Sequence, residues 1–171
     1  MVEYVKSILT NQFEAALCMM DHCIRACPPE HWEGKIANRT FRWVAYHTLF
    51  WLDLYLSPGD EDAFVLRDFH HRGGDEREDT VGPGAGLSKD ETLAYVLICR
   101  LKTLAALAAE TAESLQGPGG FSYRPNTRGE LHIYNLRHVQ HHTGQLSAYL
   151  RRVDPARNDS EDLPWIGTGW R

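Results

Sequence analysis

Apolar residues recur with the period of an α-helix in four long stretches of this 171-residue chain, and no stretch shows the clear alternation of a β-strand. The stretches predict helices at about residues 2–27, 39–57, 88–116 and 128–152. Proline follows directly after the first two stretches, where it ends a helix. Capping boxes begin the last two: Ser88 with Glu91, and Thr127 with Glu130. Amphipathic helices with two short connections and a long middle one predict an all-α four-helix bundle, a single domain over residues 1–171.

The middle connection and the tail are the two long polar stretches. Residues 58–87 form a connection of about thirty residues, and a loop of that length in a compact domain is usually functional or mobile. We expect one short helix near residues 63–69 and a solvated acidic run at residues 75–79. The long connection also permits the second and third helices to run in the same direction. The tail, residues 153–171, carries Trp165 and Trp170 and is predicted to pack back onto the helices.

Charge and cysteine usage narrow the class of protein. Lys and Arg number 18 against 23 Asp and Glu, a net charge of −5, which argues against a nucleic-acid surface and a polybasic membrane anchor. The longest apolar stretch, residues 44–56, is too short to span a bilayer, and the N-terminus lacks the pattern of a signal peptide. Of the four cysteines, Cys18, Cys23 and Cys27 follow helical spacing and are expected to be buried thiols, with a metal or redox pair of Cys23 and Cys27 as the less favoured alternative. We therefore expect a cytoplasmic protein that binds neither nucleic acid nor membrane.

Histidine is the unusual component, with nine residues. On a helix, His138 and His142 lie about 40° apart on the apolar face, so both imidazoles point inward, one turn apart. His47 lies among tryptophan and phenylalanine on the core face of the second helix. Three inward histidines would give a three-nitrogen metal site with an open position, which is typical of catalytic centres. His141 lies toward the edge of this face, and Gln145 is placed to hydrogen-bond a ligand ring or bound water.

The same histidines and aromatic residues are also compatible with simpler roles. A lone His47 is more often a hydrogen-bonded core residue than a ligand, and His-x-x-x-His is frequent on helices by chance. A zincin requires Glu where Val139 stands, and a di-iron bundle requires Glu-x-x-His pairs that the chain does not contain. Trp43, Trp51 and Tyr134 are expected in the core and, beside an open metal site, are also candidates for substrate contact. The remaining histidines are expected to be incidental: His22, His31, His70, His71 and His132.

Two segments resemble the DinB/YfiT-like metalloenzyme superfamily. Residues 138–151, His-Val-Gln-His-His-Thr-Gly-Gln-Leu-Ser-Ala-Tyr-Leu-Arg, are similar to its C-terminal signature, and residues 42–47, Arg-Trp-Val-Ala-Tyr-His, to its second-helix motif. The resemblance implies a bundle with a long connection after the second helix and a metal held by His47, His138 and His142. It also implies a cytoplasmic, stress-related protein and is compatible with a homodimer.

The resemblance implies a metal-dependent enzyme that uses a low-molecular-weight thiol, although the residues alone leave open whether the protein is an enzyme. Zinc is the expected ion, with nickel or iron next, because imidazole suits all three. The ion would activate a thiol or water for transfer, isomerisation or hydrolysis of a small-molecule substrate. The alternative is a non-catalytic, stress-related binding protein in which the histidines brace the core or hold a structural metal. No residue is assigned as general base; His141 is the candidate.

Overall fold

The computed structural model describes residues 1–59, 61–78, 86–123, 126–156 and 163–170. Helix dominates these residues, and the predicted all-α class is confirmed. The helices are α1 (Val2–Ala26), α2 (Phe41–Tyr55), α3 (Asp68–Gly73), α4 (Lys89–Ala109), α5 (Ala112–Gln116) and α6 (Arg128–Val153). Short 3₁₀ turns lie at Pro29–His31 and Glu61–Ala63. Two antiparallel strands of two residues each, β1 (Lys35–Ile36) and β2 (Arg39–Thr40), form a small hairpin before α2.

The four long helices form the core by packing in pairs. The first, α1, packs against α4 and α6, and α2 packs against the same two helices. The helical period of α1 predicts one apolar stripe, and every residue of it is buried: Leu9, Phe13, Ala16, Leu17, Met20, Cys23 and Ile24. Most residues of α2 are buried, but one stripe of it, Trp43, His47 and Trp51, is only half-buried. The side chains of this stripe therefore lie at the edge of the core.

The helical period of α4 predicts an inward stripe, and the structure matches it only in part: Leu93, Val96, Leu97, Leu101, Leu104 and Leu107. Leu97 and Leu101 are exposed, with 46% and 64% of their surface accessible. Val96 and Leu107 are buried as predicted, and the other side chains that α4 buries are Thr92, Tyr95, Cys99 and Thr103. Helical periodicity fixes which residues share a face, but it does not decide which of two apolar faces meets the core.

The predicted third helix, residues 88–116, is interrupted. Glu110 has an extended backbone (φ −64°, ψ 143°), and Thr111 then caps α5 by accepting a hydrogen bond from the Ser114 backbone N–H. The break turns the Glu110 carboxylate inward, where it accepts hydrogen bonds from Arg128 and His132 of α6 at 2.9 and 2.8 Å. These buried bonds compensate for the helix hydrogen bonds lost at the break.

The helix starts follow the predicted capping chemistry. Ser88 with Glu91 and Thr127 with Glu130 both form capping boxes. The second helix begins two residues after the predicted position 39, because Thr40 belongs to β2 and caps α2 through its side chain. By length and composition alone α4 could cross a membrane, a test that core helices of soluble proteins also pass.

The middle connection and the tail are only partly described. The short helix α3 (Asp68–Gly73) lies later than the expected residues 63–69. Of the acidic run at 75–79, Asp79 lies outside the described residues, as do the glycines at 82 and 84. The Gly169 backbone N–H donates to the Asn11 carbonyl oxygen, and the Gln12 side-chain amide donates to the Gly167 carbonyl oxygen, so the tail lies against α1. Trp165 is exposed whereas Trp170 contacts the core, so the predicted packing holds for one tryptophan.

Candidate metal centre

Three of the histidines meet between α2 and α6. His47 comes from the middle of α2, and His138 and His142 come from successive turns of α6. One nitrogen from each ring lies within 4.8 Å of the others. The Nε2 atoms of His47 and His138 are 3.4 Å apart. The three residues predicted to point inward therefore converge, and the cluster has the composition of a three-nitrogen metal site.

The spacing of these nitrogens suits a metal ion. Ligand nitrogens about 2.0–2.1 Å from a tetrahedral ion are separated by about 3.3 Å, close to the observed 3.4 Å between His47 and His138. Two neutral imidazoles facing each other through their lone pairs would repel unless a cation or a proton lay between them. The donor set is thus one that a divalent ion would fit.

The other nitrogen of His47 binds a buried carboxylate. Nδ1 lies 2.9 Å from Oε2 of Glu76, whose side chain is only 5% exposed. Because a carboxylate only accepts, Nδ1 carries the proton and Nε2 keeps its lone pair toward His138. Trp43 stacks on the His47 ring with centroids 4.5 Å apart. The acidic run was expected to be solvated, and for Glu76 that expectation is wrong.

His142 is oriented by a neutral partner. Its Nδ1 donates to the Gln145 side-chain oxygen at 2.8 Å, which confirms the role expected for Gln145, and the Gln145 amide donates to Nε2 of His141 at 3.2 Å. Burial lowers the pKa of His142 to about 4, with smaller contributions from neighbouring His47 and His141. His142 is therefore neutral near pH 7, the form that ligates metals. His141 lies at the exposed edge of the cluster.

Aromatic side chains form the wall opposite the histidines. A cavity of about 270 Å³ is lined by the three histidines together with Trp51, Tyr55 and Tyr134. Tyr55 meets Trp51 and Tyr134 at ring-centroid distances of 5.5 and 5.7 Å. Trp51 and Tyr134, expected as core residues, thus also face the site. These rings offer apolar surface to a small ligand.

Other histidines outside the cluster form buried or partly buried polar contacts, contrary to the expectation that they are incidental. His70 is fully buried and contacts the Tyr95 hydroxyl through Nε2 at 2.8 Å. His132 is buried against Glu110, and His31 contacts the Tyr149 hydroxyl at 3.1 Å. These three histidines bind hydroxyl or carboxylate groups away from the three-histidine cluster.

Comparison with known proteins gives one match. The sequence model described as the DinB superfamily matches residues 12–146, which include all three histidines of the cluster. A search of curated proteins and a search of solved structures each returned no match.

Proposed function

Because the chain belongs to the DinB superfamily, we propose that it is a metal-binding protein of DinB type whose helices form a four-helix bundle, one domain over residues 1–171. His47, His138 and His142 hold a divalent ion in this proposal. The observation that carries it is the convergence of three imidazole nitrogens from two helices, with Nε2 of His47 and His138 separated by the edge length of a tetrahedral site.

Neighbouring side chains orient two of the three rings for this role. Glu76 and Gln145 accept the Nδ1 protons of His47 and His142, which leaves Nε2 of each ring as the donor atom. All three ligands are neutral imidazoles, so a bound ion would keep most of its positive charge. Zinc is the preferred ion, with nickel or iron next.

The chemistry proposed for the site is activation of a nucleophile. When bound, a divalent ion would act as a Lewis acid that lowers the pKa of a thiol or water at neutral pH. Three protein ligands leave a position for that group, as catalytic centres do and closed structural sites do not. Trp51, Tyr55 and Tyr134 would hold the substrate beside this position. We therefore propose transfer, isomerisation or hydrolysis of a small molecule, with a low-molecular-weight thiol as cosubstrate.

The setting of this activity is proposed on the same basis. The acidic net charge of −5 favours a small-molecule substrate over nucleic acid or an anionic membrane. We propose a cytoplasmic, stress-related protein, and a homodimer is compatible with the family resemblance.

Metal titration tests the proposal. Metal-free protein should bind one equivalent of Zn²⁺ in competition with a chromophoric chelator, and His138→Ala and His142→Ala should abolish this binding. His71→Ala, an exposed histidine on α3, is the matched control and should bind like the wild type. Failure of the wild type to bind zinc, or unchanged binding by His138→Ala, would refute the site. Stoichiometric metal without metal-dependent turnover of any thiol or hydrolytic substrate would favour the non-catalytic alternative.

A further inference from the structure

We propose that Glu76 is a positioning residue of this metal centre, and that the middle connection exists in part to deliver its carboxylate to His47. The inference rests on the proposed function, because it concerns how the site binds its ion. Glu76 does not belong to the three-histidine cluster; it acts through the ring of His47.

The contact of Glu76 with His47 is short and shielded from water. The Oε2–Nδ1 distance is 2.9 Å, and 5% of the Glu76 side chain and 20% of the His47 side chain are exposed. Trp43 covers one face of the same ring. A charge-assisted hydrogen bond in such surroundings is stronger than one in water. It fixes both the protonated nitrogen and the direction in which Nε2 points.

The segment that carries Glu76, residues 74–78, is anchored on both sides of it. Tyr46, one residue before His47, donates its hydroxyl proton to the Gly74 carbonyl oxygen. Arg77 pairs with Asp75 at 2.6 Å and also donates to the Phe64 carbonyl oxygen. The Tyr46 bond holds the segment against α2, and the Arg77 bonds fix its own shape and tie it to the connection at Phe64. Glu76 is therefore placed beside His47 before any ion binds.

A close approach at the end of α3 makes this placement depend on glycine. A Cβ atom added at Gly73 would lie 2.3 Å from ring carbons of Tyr46. Any larger residue at 73 would push the segment away from α2, and the Glu76 carboxylate with it. Glycine, which has no side chain, therefore stands at the position where the backbone packs against the Tyr46 ring.

The two oriented histidines differ in the charge of their partners. His47 has a carboxylate, whereas His142 has the neutral amide oxygen of Gln145. A carboxylate makes the imidazole a stronger donor and adds a negative charge close to the ion. Loss of such a partner typically costs 10- to 100-fold in metal affinity. We therefore expect His47 to depend on its partner more than His142 does.

Zinc affinity of the full chain provides the first test. Wild type, Glu76→Gln and Glu76→Ala are titrated with Zn²⁺ against a chromophoric chelator, and Glu78→Gln serves as the control because Glu78 is exposed two residues further on. Affinity should fall about 10-fold in Glu76→Gln, which keeps the shape and loses the charge, and up to about 100-fold in Glu76→Ala. Glu78→Gln should match the wild type. Thermal melting of each metal-free variant separates this effect from misfolding.

Proton NMR of the Co²⁺-loaded protein provides a readout that general destabilisation would not produce. The shifted, exchangeable Nδ1–H signal of His47 should exchange slowly in the wild type and rapidly in Glu76→Ala, while that of His142 stays unchanged. Zinc affinity within twofold of wild type in both Glu76 variants, with the His47 signal unaltered, would overturn the inference and leave the metal site standing. A wild type that binds no zinc would overturn both.

Discussion

Acidification should destabilise the protein through His70, a residue outside the metal cluster. Its ring is fully buried; Nδ1 accepts a hydrogen bond from the Arg67 backbone N–H at 2.9 Å, and Nε2 donates to the Tyr95 hydroxyl at 2.8 Å. Burial lowers the pKa of His70 from 6.5 to about 4, and the nearby Asp53 carboxylate offsets only part of this effect. His70 in the folded protein is therefore neutral above a pH of about 4.

The sign and size of the effect follow from these two pKa values. Below pH 6.5 the unfolded chain binds a proton at His70 that the folded protein does not take up until about pH 4. The stabilisation is thus complete above pH 6.5 and is lost progressively as the pH falls toward 4. Between pH 7.5 and pH 5 the loss amounts to about 2 kcal/mol, which lowers the melting temperature by roughly 4–8 °C.

Urea unfolding of metal-free protein at pH 7.5, 6.5, 5.5 and 5 measures this loss. His142 and His132 also have lowered pKa values, so the wild type alone does not isolate His70. The comparison is with His70→Gln, whose amide can still donate to Tyr95 but does not titrate. The wild type should lose about 2 kcal/mol more than His70→Gln between pH 7.5 and 5. Equal losses in the two proteins would show that His70 does not titrate in this way.

Three further perturbations have defined outcomes. Lys102 donates to the fully buried Asp53 carboxylate, so Lys102→Met should lower the free energy of unfolding in urea by about 3–5 kcal/mol. Adding Asp53→Asn should recover most of this loss. A loss below about 1 kcal/mol in Lys102→Met would contradict the prediction. Gly73→Ala should weaken zinc binding as Glu76→Ala does, because its Cβ would collide with Tyr46; an unchanged zinc titration would argue against it. Free zinc at 100 times its Kd should add about 2.7 kcal/mol and roughly 5–11 °C to the melting temperature, and His138→Ala should show no such shift.

The sequence predicted the helical class and the three clustered histidines for the same physical reason. Residues four apart on a helix point the same way, so the relation of His138 to His142 is local. His47 stood on a face too apolar to be exposed. Helix starts were equally local, because Ser88 with Glu91 satisfies donors within one turn.

The unpredicted features depend on contacts between distant parts of the chain. Glu76 lies 29 residues from His47, and no periodic pattern in the connection marks it among its acidic neighbours. The break at Glu110 follows from partners on α6, Arg128 and His132, that lie 18 and 22 residues away. The inward face of α4 depends likewise on buried pairs such as Tyr95 with Asp53. The type of a residue, apolar or acidic, does not determine which distant residue it contacts in the fold.

Glu76, the partner of His47, lies on a connection and not on a long helix. Ion binding and the position of that connection are therefore thermodynamically coupled. Whatever free energy Glu76 contributes to holding the ion, the ion returns by holding residues 74–78 against α2. A 10- to 100-fold effect on affinity corresponds to about 1.4–2.7 kcal/mol in either direction. A ligand that drew this segment outward would weaken ion binding by the same amount, and loss of the ion would weaken the contact of Glu76 with His47 equally. The middle connection and the metal centre would then behave as one coupled unit.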